Sequence, residues 1–394
     1  MAGILENIRV LDFGRYIAGP FCGALLGDLG ADVIRMEKVD GSEDRFTTPV
    51  NAEGVGAGFL QLNRNKRGMT LNPRKPQGSE VLARLVATAD VVLANLPPDT
   101  LATMGLDYLS LTAIKPDIIL TTSTAFGSKG PYGNRVGFDG VAQAMSGNMH
   151  LTGEADAPSK NYYPYVDYCT GALNTVGTLA AIIHRMNTGE GQHVEGALLA
   201  SAITIAGGSL IEQALTGINR TATGNRGQTS GPSDAFPTQD GWLLVQVVGN
   251  PLFERWANLM GDDHWLTDER FASDEARGIH GALISERMKA WTSERTTAEA
   301  VAELEEARIP CGEILTPAEA IENEQVVAMG FFEQGTYPDV QGSYPLTRLP
   351  FDMSKTPGKV RLRPPTLGEH THAILMDLGY STEEIDELKR ARVV

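Results

Sequence analysis

The sequence predicts an α/β fold in which helices cover a parallel sheet, with the elements in a Rossmann-like order. Three observations carry this. Apolar runs of strand length alternate with helical patterns through the first 126 residues. At 394 residues the chain exceeds what one core usually holds, so two domains are expected. A polar, Gly-rich stretch from Gly217 to Asp240 then separates the alternating part from a mainly helical one.

Taken in order, IRVLDFG from Ile8 is a short apolar run ending in Gly, which predicts a buried strand. AGPFCGALLGDLG has Pro20 near a helix start and Gly30 as its C-cap, and ADVIRMEK closes a βαβ unit as the second strand. GMTLN, ADVVLANL and DIILTTSTAFG read as further strands, with helices over 78–88 and up to Met104 between them. GSKGPYGNRVGFDG is turn-prone, and VAQAMSG after it is helical. From Tyr162, aromatic residues give way to a long run of small apolar ones. Leu173, Val176, Ala180 and Ile183 follow a 3, 4, 3 spacing that predicts one buried face. Gly196 to Ile211 is an uncharged run of 16 residues, short of the roughly 20 that span a bilayer, and is expected to be a core helix. DGWLLVQVVGN alternates like a strand, residues 251–308 predict a small helical domain, and IPCGEILT a short strand. The tail crosses through a Pro-rich segment into an amphipathic helix.

Lys and Arg number 33 against 49 Asp and Glu, a formal charge of −16. Such a chain repels nucleic acid and anionic membranes, so neither is an expected partner, and an anionic ligand needs a local basic patch. Cys22, Cys169 and Cys311 are odd in number and far apart, which fits reduced thiols and a cytoplasmic location. The opening MAGILENIRVLDFG lacks the features of a secretion signal, and no membrane insertion is expected.

Most familiar cofactor and nucleophile motifs are missing from the sequence. The first β-to-α turn, GRYIAGPFCG, does not give GxGxxG, and no GxxxxGK[ST] loop occurs. No GxSxG supports a hydrolase. His370 and His372 are two apart without a third ligand, so no metal is expected. Cys169 reads as a core thiol inside a helix. Two features stay open. Arg64, Lys66, Arg67, Arg74 and Lys75 fall in a stretch with no acidic residue between Glu53 and Glu80, which suits either a phosphate-bearing ligand or a solvated surface. Asp167 heads the long apolar helix, either as its N-cap or as a carboxylate held ionised against the helix N-terminus. Asp139, in GFDG, is a second carboxylate in a loop on the expected ligand side, where an Asx-turn is the alternative.

Together the segments IRVLDFGRYIAGPFCGALLGDLGADVIRMEK, LNRNKRGMTL, ADVVLANLPPDTLATMGLD, GFDGVAQAMSG, HRMNTGEGQHVEGAL, FPTQDGWLLVQV, IPCGEIL and RPPTLGEHTHAILMDLGY resemble the class III CoA-transferase family. That family includes formyl-CoA transferase, L-carnitine CoA-transferase and α-methylacyl-CoA racemase. The resemblance implies a Rossmann-like large domain built from both chain ends (1–216 and 325–394), a linker and small domain inserted between them (217–324), and an interlocked homodimer. It implies acyl-CoA and a free carboxylic acid as substrates, with coenzyme A the group transferred. Asp167 matches the covalent nucleophile, which would form aspartyl anhydride and aspartyl-CoA thioester intermediates, and Asp139 matches a carboxylate of the site. Lys38, Lys66, Asn95 and Met104 match CoA-binding positions. Thr103 stands where formyl-CoA transferase has an Arg, and Arg135 is expected to supply that charge. Ile17 replaces a Gln of the same enzyme, which disfavours a formyl or oxalate specialist. Phe138 replaces the racemase His, and Phe moves no proton. Transfer is therefore expected over the alternatives, a 2-methylacyl-CoA racemase or an idle acyl-CoA-binding protein.

Overall fold

A computed structural model of the chain describes residues 3–394. Six strands form one all-parallel sheet: β1 (Arg9–Asp12), β2 (Asp32–Glu37), β3 (Lys66–Thr70), β4 (Val91–Ala94), β5 (Ile119–Thr124) and, beyond a short ribbon of β6 (Gly153–Glu154) and β7 (Ala157–Pro158), β8 (His193–Ala197). Their order is β3-β2-β1-β4-β5-β8, so the connections turn opposite ways on the two sides of β1. Val10 is in register with both Val33 and Val91. The helices through this part are α1 (Ala18–Asp28), α2 (Ala57–Leu62), α3 (Pro76–Thr88), α4 (Pro98–Met104), α5 (Tyr108–Ile114), α6 (Asp139–Met145), α7 (Tyr165–Thr188) and α8 (Leu198–Thr216).

Alternate strand residues feed opposite faces of the sheet. Leu11, Ile34, Val92 and Leu120 join a core with Val81 and Leu85 of α3 and with Ile374, Leu375, Ile385 and Leu388 of the C-terminal helices. Val10, Val33, Leu93 and Ile119 join a second core with Leu26 of α1 and with Ala181 and Ile182 of α7. Burial on both faces is why these strands read as nearly unbroken apolar runs.

Two expectations fail here, both for α7 and α8. The face of α7 that packs inward is Thr170, Gly171, Asn174, Thr178 and Ala181, while Val176 and Ile183 are 63% and 59% exposed. Small residues face inward because α1 runs close by: a Cβ on Gly171 would lie 2.7 Å from the Ala18 carbonyl oxygen. The polar ones are bonded, Thr178 to Thr121 at 2.7 Å and Thr170 to Ser201 at 2.8 Å. Likewise α8 buries only Leu198, Ser201, Ala202 and Ala206, so it is not a core helix within one chain.

By contact density the chain divides into two units, 1–147 with 161–211 and 325–394, and 148–160 with 212–324. The second holds an antiparallel sheet of β9 (Ser233–Pro237), β10 (Trp242–Gln246) and β11 (Cys311–Glu313), in the order β11-β10-β9. β9 lies inside the stretch read as a polar connector. In β10, Leu243 and Val245 point inward and Trp242 and Leu244 outward, the period of a half-buried strand. Helices between Asn250 and Glu306 close its core around Phe253, Trp256, Trp265 and Phe271.

Candidate active site

In an open parallel sheet, ligands bind outside the carboxyl ends of the strands where the connections change direction. Here that point lies between β1 and β4, and two cavities open beside it. One, of about 550 Å³, is lined by residues following β2 and β3, among them Lys38, Asp40, Arg74 and Lys75, together with Met104 and Arg392. The other, of about 270 Å³, is lined by residues following β4 and β5, including Asn95, Asn134, Arg135 and Phe138, together with Tyr16, Leu198 and Asp167. Arg15 and Leu96 line both.

The turn after β1 separates the cavities, and a buried polar layer fixes it. Asp12 accepts from the Gly14 amide at 2.8 Å and from Lys66 Nζ at 2.7 Å. A Cβ at Gly14 would sit 2.7 Å from the Asp12 carboxylate and from the Pro20 ring, so the turn admits only glycine. Arg35 donates to the Gly14 carbonyl and, at 2.5 Å, to Asp44. Asn95 clamps Arg15 from both sides, accepting from its amide at 2.6 Å and donating to its carbonyl at 2.7 Å. Tyr16 is thereby held at φ +59°, in the left-handed region, as the edge-on partner of Phe138 at 5.6 Å. A bulky residue in that conformation is strained, and such strain collects at functional sites.

Asp167 occupies the third position of α7, whose N-cap is Pro164 without a side-chain cap bond. The N-cap reading of Asp167 is therefore corrected. The first amides of an α-helix lack partners within it, and in α7 all are satisfied from elsewhere. Pro164 has no N–H, and Tyr165 donates to the Tyr163 carbonyl at 2.8 Å. Val166 and Asp167 donate to Asp139 Oδ2 at 2.7 and 3.0 Å. Asp139, 6% exposed, is thus the cap of α7, and its other oxygen accepts from Gln143. Gln143 in turn accepts from the Asn161 amide at 2.9 Å. Among the described residues no hydrogen bond reaches the Asp167 carboxylate. Burial, and after it the charge of Asp139, pushes the Asp167 carboxyl up to about 7. A carboxylate held comfortably ionised by the helix is therefore not what the fold provides.

The other expected site residues divide. Asn95 and Arg135 share the smaller cavity with Asp167, and Lys38 and Met104 line the larger. Lys66 reaches neither. Its ammonium is fully buried and ligated by Asp12, the Pro20 carbonyl at 2.8 Å and Asn63 at 3.1 Å, which leaves no donor for a phosphate. The basic stretch splits the same way: Arg64 pairs with Asp28 and Arg67 with Asp32, while Arg74 and Lys75 line the larger cavity. Asp139 reaches the site through backbone amides, not through the cavity wall. Arg15 and Gln143 were not legible as site residues, because the partners that place them lie far off in sequence. His370 accepts from the Gly68 amide at 3.1 Å, a structural contact. Among the described residues no group of three or more His, Cys, Asp or Glu is arranged to hold a metal.

The family model described as CoA-transferase family III matches residues 5–371. The chain is 34% identical over 387 residues to a succinate–glutarate CoA-transferase of Agrobacterium fabrum, covering 95% of both chains. It is 33% identical to a succinyl-CoA–D-citramalate CoA-transferase of Chloroflexus aurantiacus, covering 99% of this chain and 98% of that one. Among solved structures, a CAIB/BAIF family protein from Brucella suis superposes with a TM-score of 0.84 at 33% identity, over 96% of this chain and 100% of the other.

Proposed function

The chain belongs to CoA-transferase family III and is an enzyme of the transferase class, and from that membership we propose that it moves CoA between carboxylic acids through covalent intermediates on Asp167. One observation carries the reading: a half-buried carboxylate that no hydrogen bond reaches among the described residues stands on the wall of the switch-point cavity. In the first step an Asp167 oxygen bonds to the thioester carbonyl carbon, and the C–S electron pair leaves with CoA as thiolate. The thiolate then attacks the aspartyl carbonyl of the mixed anhydride, releases the donor acid and leaves an aspartyl-CoA thioester. An acceptor carboxylate repeats these steps in reverse and frees Asp167. Every step activates one carboxyl as it releases another, so the thioester energy is conserved and no outside source of activation is needed.

We place the nucleotide end of CoA in the larger cavity, with Lys38, Arg74 and Lys75 around its phosphates and Met104 against its base, and the chain past Asn95 toward Asp167. Arg135 stands on the wall of the smaller cavity, stacked on Tyr132 at 4.4 Å and without an acidic partner among the described residues. We therefore assign it to the free carboxylate of a dicarboxylic substrate, in place of the phosphate contact expected from the sequence. The relatives named for succinate, glutarate and citramalate favour the same substrate class.

Incubation with succinyl-CoA, borohydride or hydroxylamine trapping and mass mapping tests this. Modification at Asp167 is expected, with slower labelling by butyryl-CoA, which lacks the second carboxylate. An unmodified Asp167 across both thioesters would sink the mechanism, and equal labelling by both would sink the role of Arg135.

The racemase alternative has no support from Phe138, which is exposed on the cavity wall and carries no titratable group. We also propose a homodimer, interlocked as the resemblance implies. α7 and α8 are long and apolar enough to cross a membrane by length and composition alone. However, α7 carries Asp167, Asn174 and Arg185, which a bilayer disfavours, and a third of its residues are buried within the chain. The outward stripe of Leu173, Val176, Ile183 and Met186 is better matched to a second copy of the chain. Light scattering on purified protein should give twice the chain mass, and a stable monomer would refute this.

A further inference from the structure

α7 begins at Tyr165 behind its Pro164 cap, and a carboxylate at its head would ordinarily draw on the first free amides and on the positive end of the helix. Asp139 intercepts both. It starts α6, 28 residues earlier, and its Oδ2 already takes the Val166 and Asp167 amides while Gln143 holds its Oδ1. Its negative charge therefore occupies the helix N-terminus and acts on the carboxylate that the proposed mechanism uses.

We propose that Asp139 is a positioning residue that withholds the α7 N-terminus from Asp167 and sets a like charge against it, so that conversion of Asp167 to a neutral covalent adduct is favoured. This rests on the reading of Asp167 as nucleophile. When an Asp167 oxygen bonds to the acyl carbon and the electron pair of the broken C–S bond leaves with sulfur, the negative charge moves from Asp167 to CoA. One of two neighbouring anions is removed, and the repulsion goes with it. The elevated protonation range of Asp167 is the resting-state face of the same arrangement.

Other groups around Asp167 do not supply this effect. The cavity contributes Arg15, Tyr16, Asp99 and Arg135, and α7 itself Tyr165, Tyr168 and Cys169. α1 brings buried Cys22, which faces Thr175 and Thr178 farther along α7. β8 brings His193 and Glu195, engaged with Thr122 and Ser128. Of all these, Asp139 is the group whose charge acts to raise the Asp167 carboxyl.

The test is Asp139→Asn in the full-length enzyme, which keeps a side-chain oxygen for the two amides and removes the charge. Infrared titration of the carboxylate band, wild type minus Asp167→Asn, follows Asp167 without substrate. A midpoint near 7 is expected in the wild type, lower by at least about one pH unit in Asp139→Asn, which corresponds to about a tenfold weaker preference for the neutral form. The fraction of enzyme standing as aspartyl-CoA in the succinyl-CoA trap should fall correspondingly. Gln143→Met, which strips one donor from Asp139 and strengthens its field, should move the midpoint upward, and it serves if Asp139→Asn does not fold. A cap with a structural role only would lower the melting temperature and leave the midpoint in place, and that result overturns the proposal. Failure of the trap in wild type, with the infrared shift present, would instead refute the nucleophile reading.

Discussion

Two carboxylates near the carboxyl edge of the sheet receive opposite treatment. Asp12, at the end of β1, is completely buried, as is Lys66, which donates to it at 2.7 Å. Burial alone would raise the Asp12 carboxyl, but Lys66 and Arg35 outweigh it and hold it below the usual carboxylate range. Asp167 is less buried, yet its carboxyl is raised to about 7, because burial pushes it up and its charged neighbour, another carboxylate, adds to that push instead of offsetting it. The lesson is that depth does not decide how a buried acid behaves; the company provided for it does. The fold neutralises the acid that shapes the turn and leaves bare the one on the cavity wall.

The sharpest way to break the contrast is to give Asp12 the isolation of Asp167. Lys66→Met should cost about 3–5 kcal/mol in chemical denaturation, since it strands a buried charge. Adding Asp12→Asn should recover most of that loss, because an apolar and neutral pair no longer contains a stranded ion. If Lys66→Met alone is neutral, the ion pair is not what holds the turn.

A smaller effect of opposite sign is expected at Asp167. Its folded-state value near 7 lies above the ordinary 3.8 of the unfolded chain. Below about pH 3 it is neutral in both states and disfavours neither. As pH rises toward 7 the unfolded chain loses the proton first, so stability declines, and above 7 the full penalty stands. Asp167→Asn, neutral throughout, should therefore be more stable than wild type by about 2 kcal/mol at pH 8, a figure reduced for partial solvent screening. The difference should vanish below about pH 3. A destabilised variant at pH 8 would show that Asp167 is ionised at ease after all.

The alternation of the first five strands was legible because burial on both faces leaves an apolar run that few other elements share. β8 was not, because HVEGA is a short edge strand with His193 and Glu195 in it, and β9 was not, because SDAFP looks like the loop around it. The inward face of α7 is not legible in the sequence, since close helix packing there selects Gly, Ala, Thr and Asn, while the aliphatic side chains that usually mark a core point outward. Within the site, Asp167 could be located by its position at a helix start. What governs it could not, since the cap arrives from Asp139 by way of two backbone amides. Lys66 shows the converse: a cation in a family motif looked like a ligand contact until its partner 54 residues away was in view.

The return of the chain onto its own beginning also has a consequence in time. One face of the sheet is completed by Ile374, Leu375, Ile385 and Leu388, which pack with Leu11 and Ile34. A ribosome working at roughly 5–20 residues per second makes the last of these on the order of 20–75 seconds after the first. Through that interval the nascent sheet carries an incompletely covered apolar surface, so its safe passage depends on whatever shields it until the final two helices emerge.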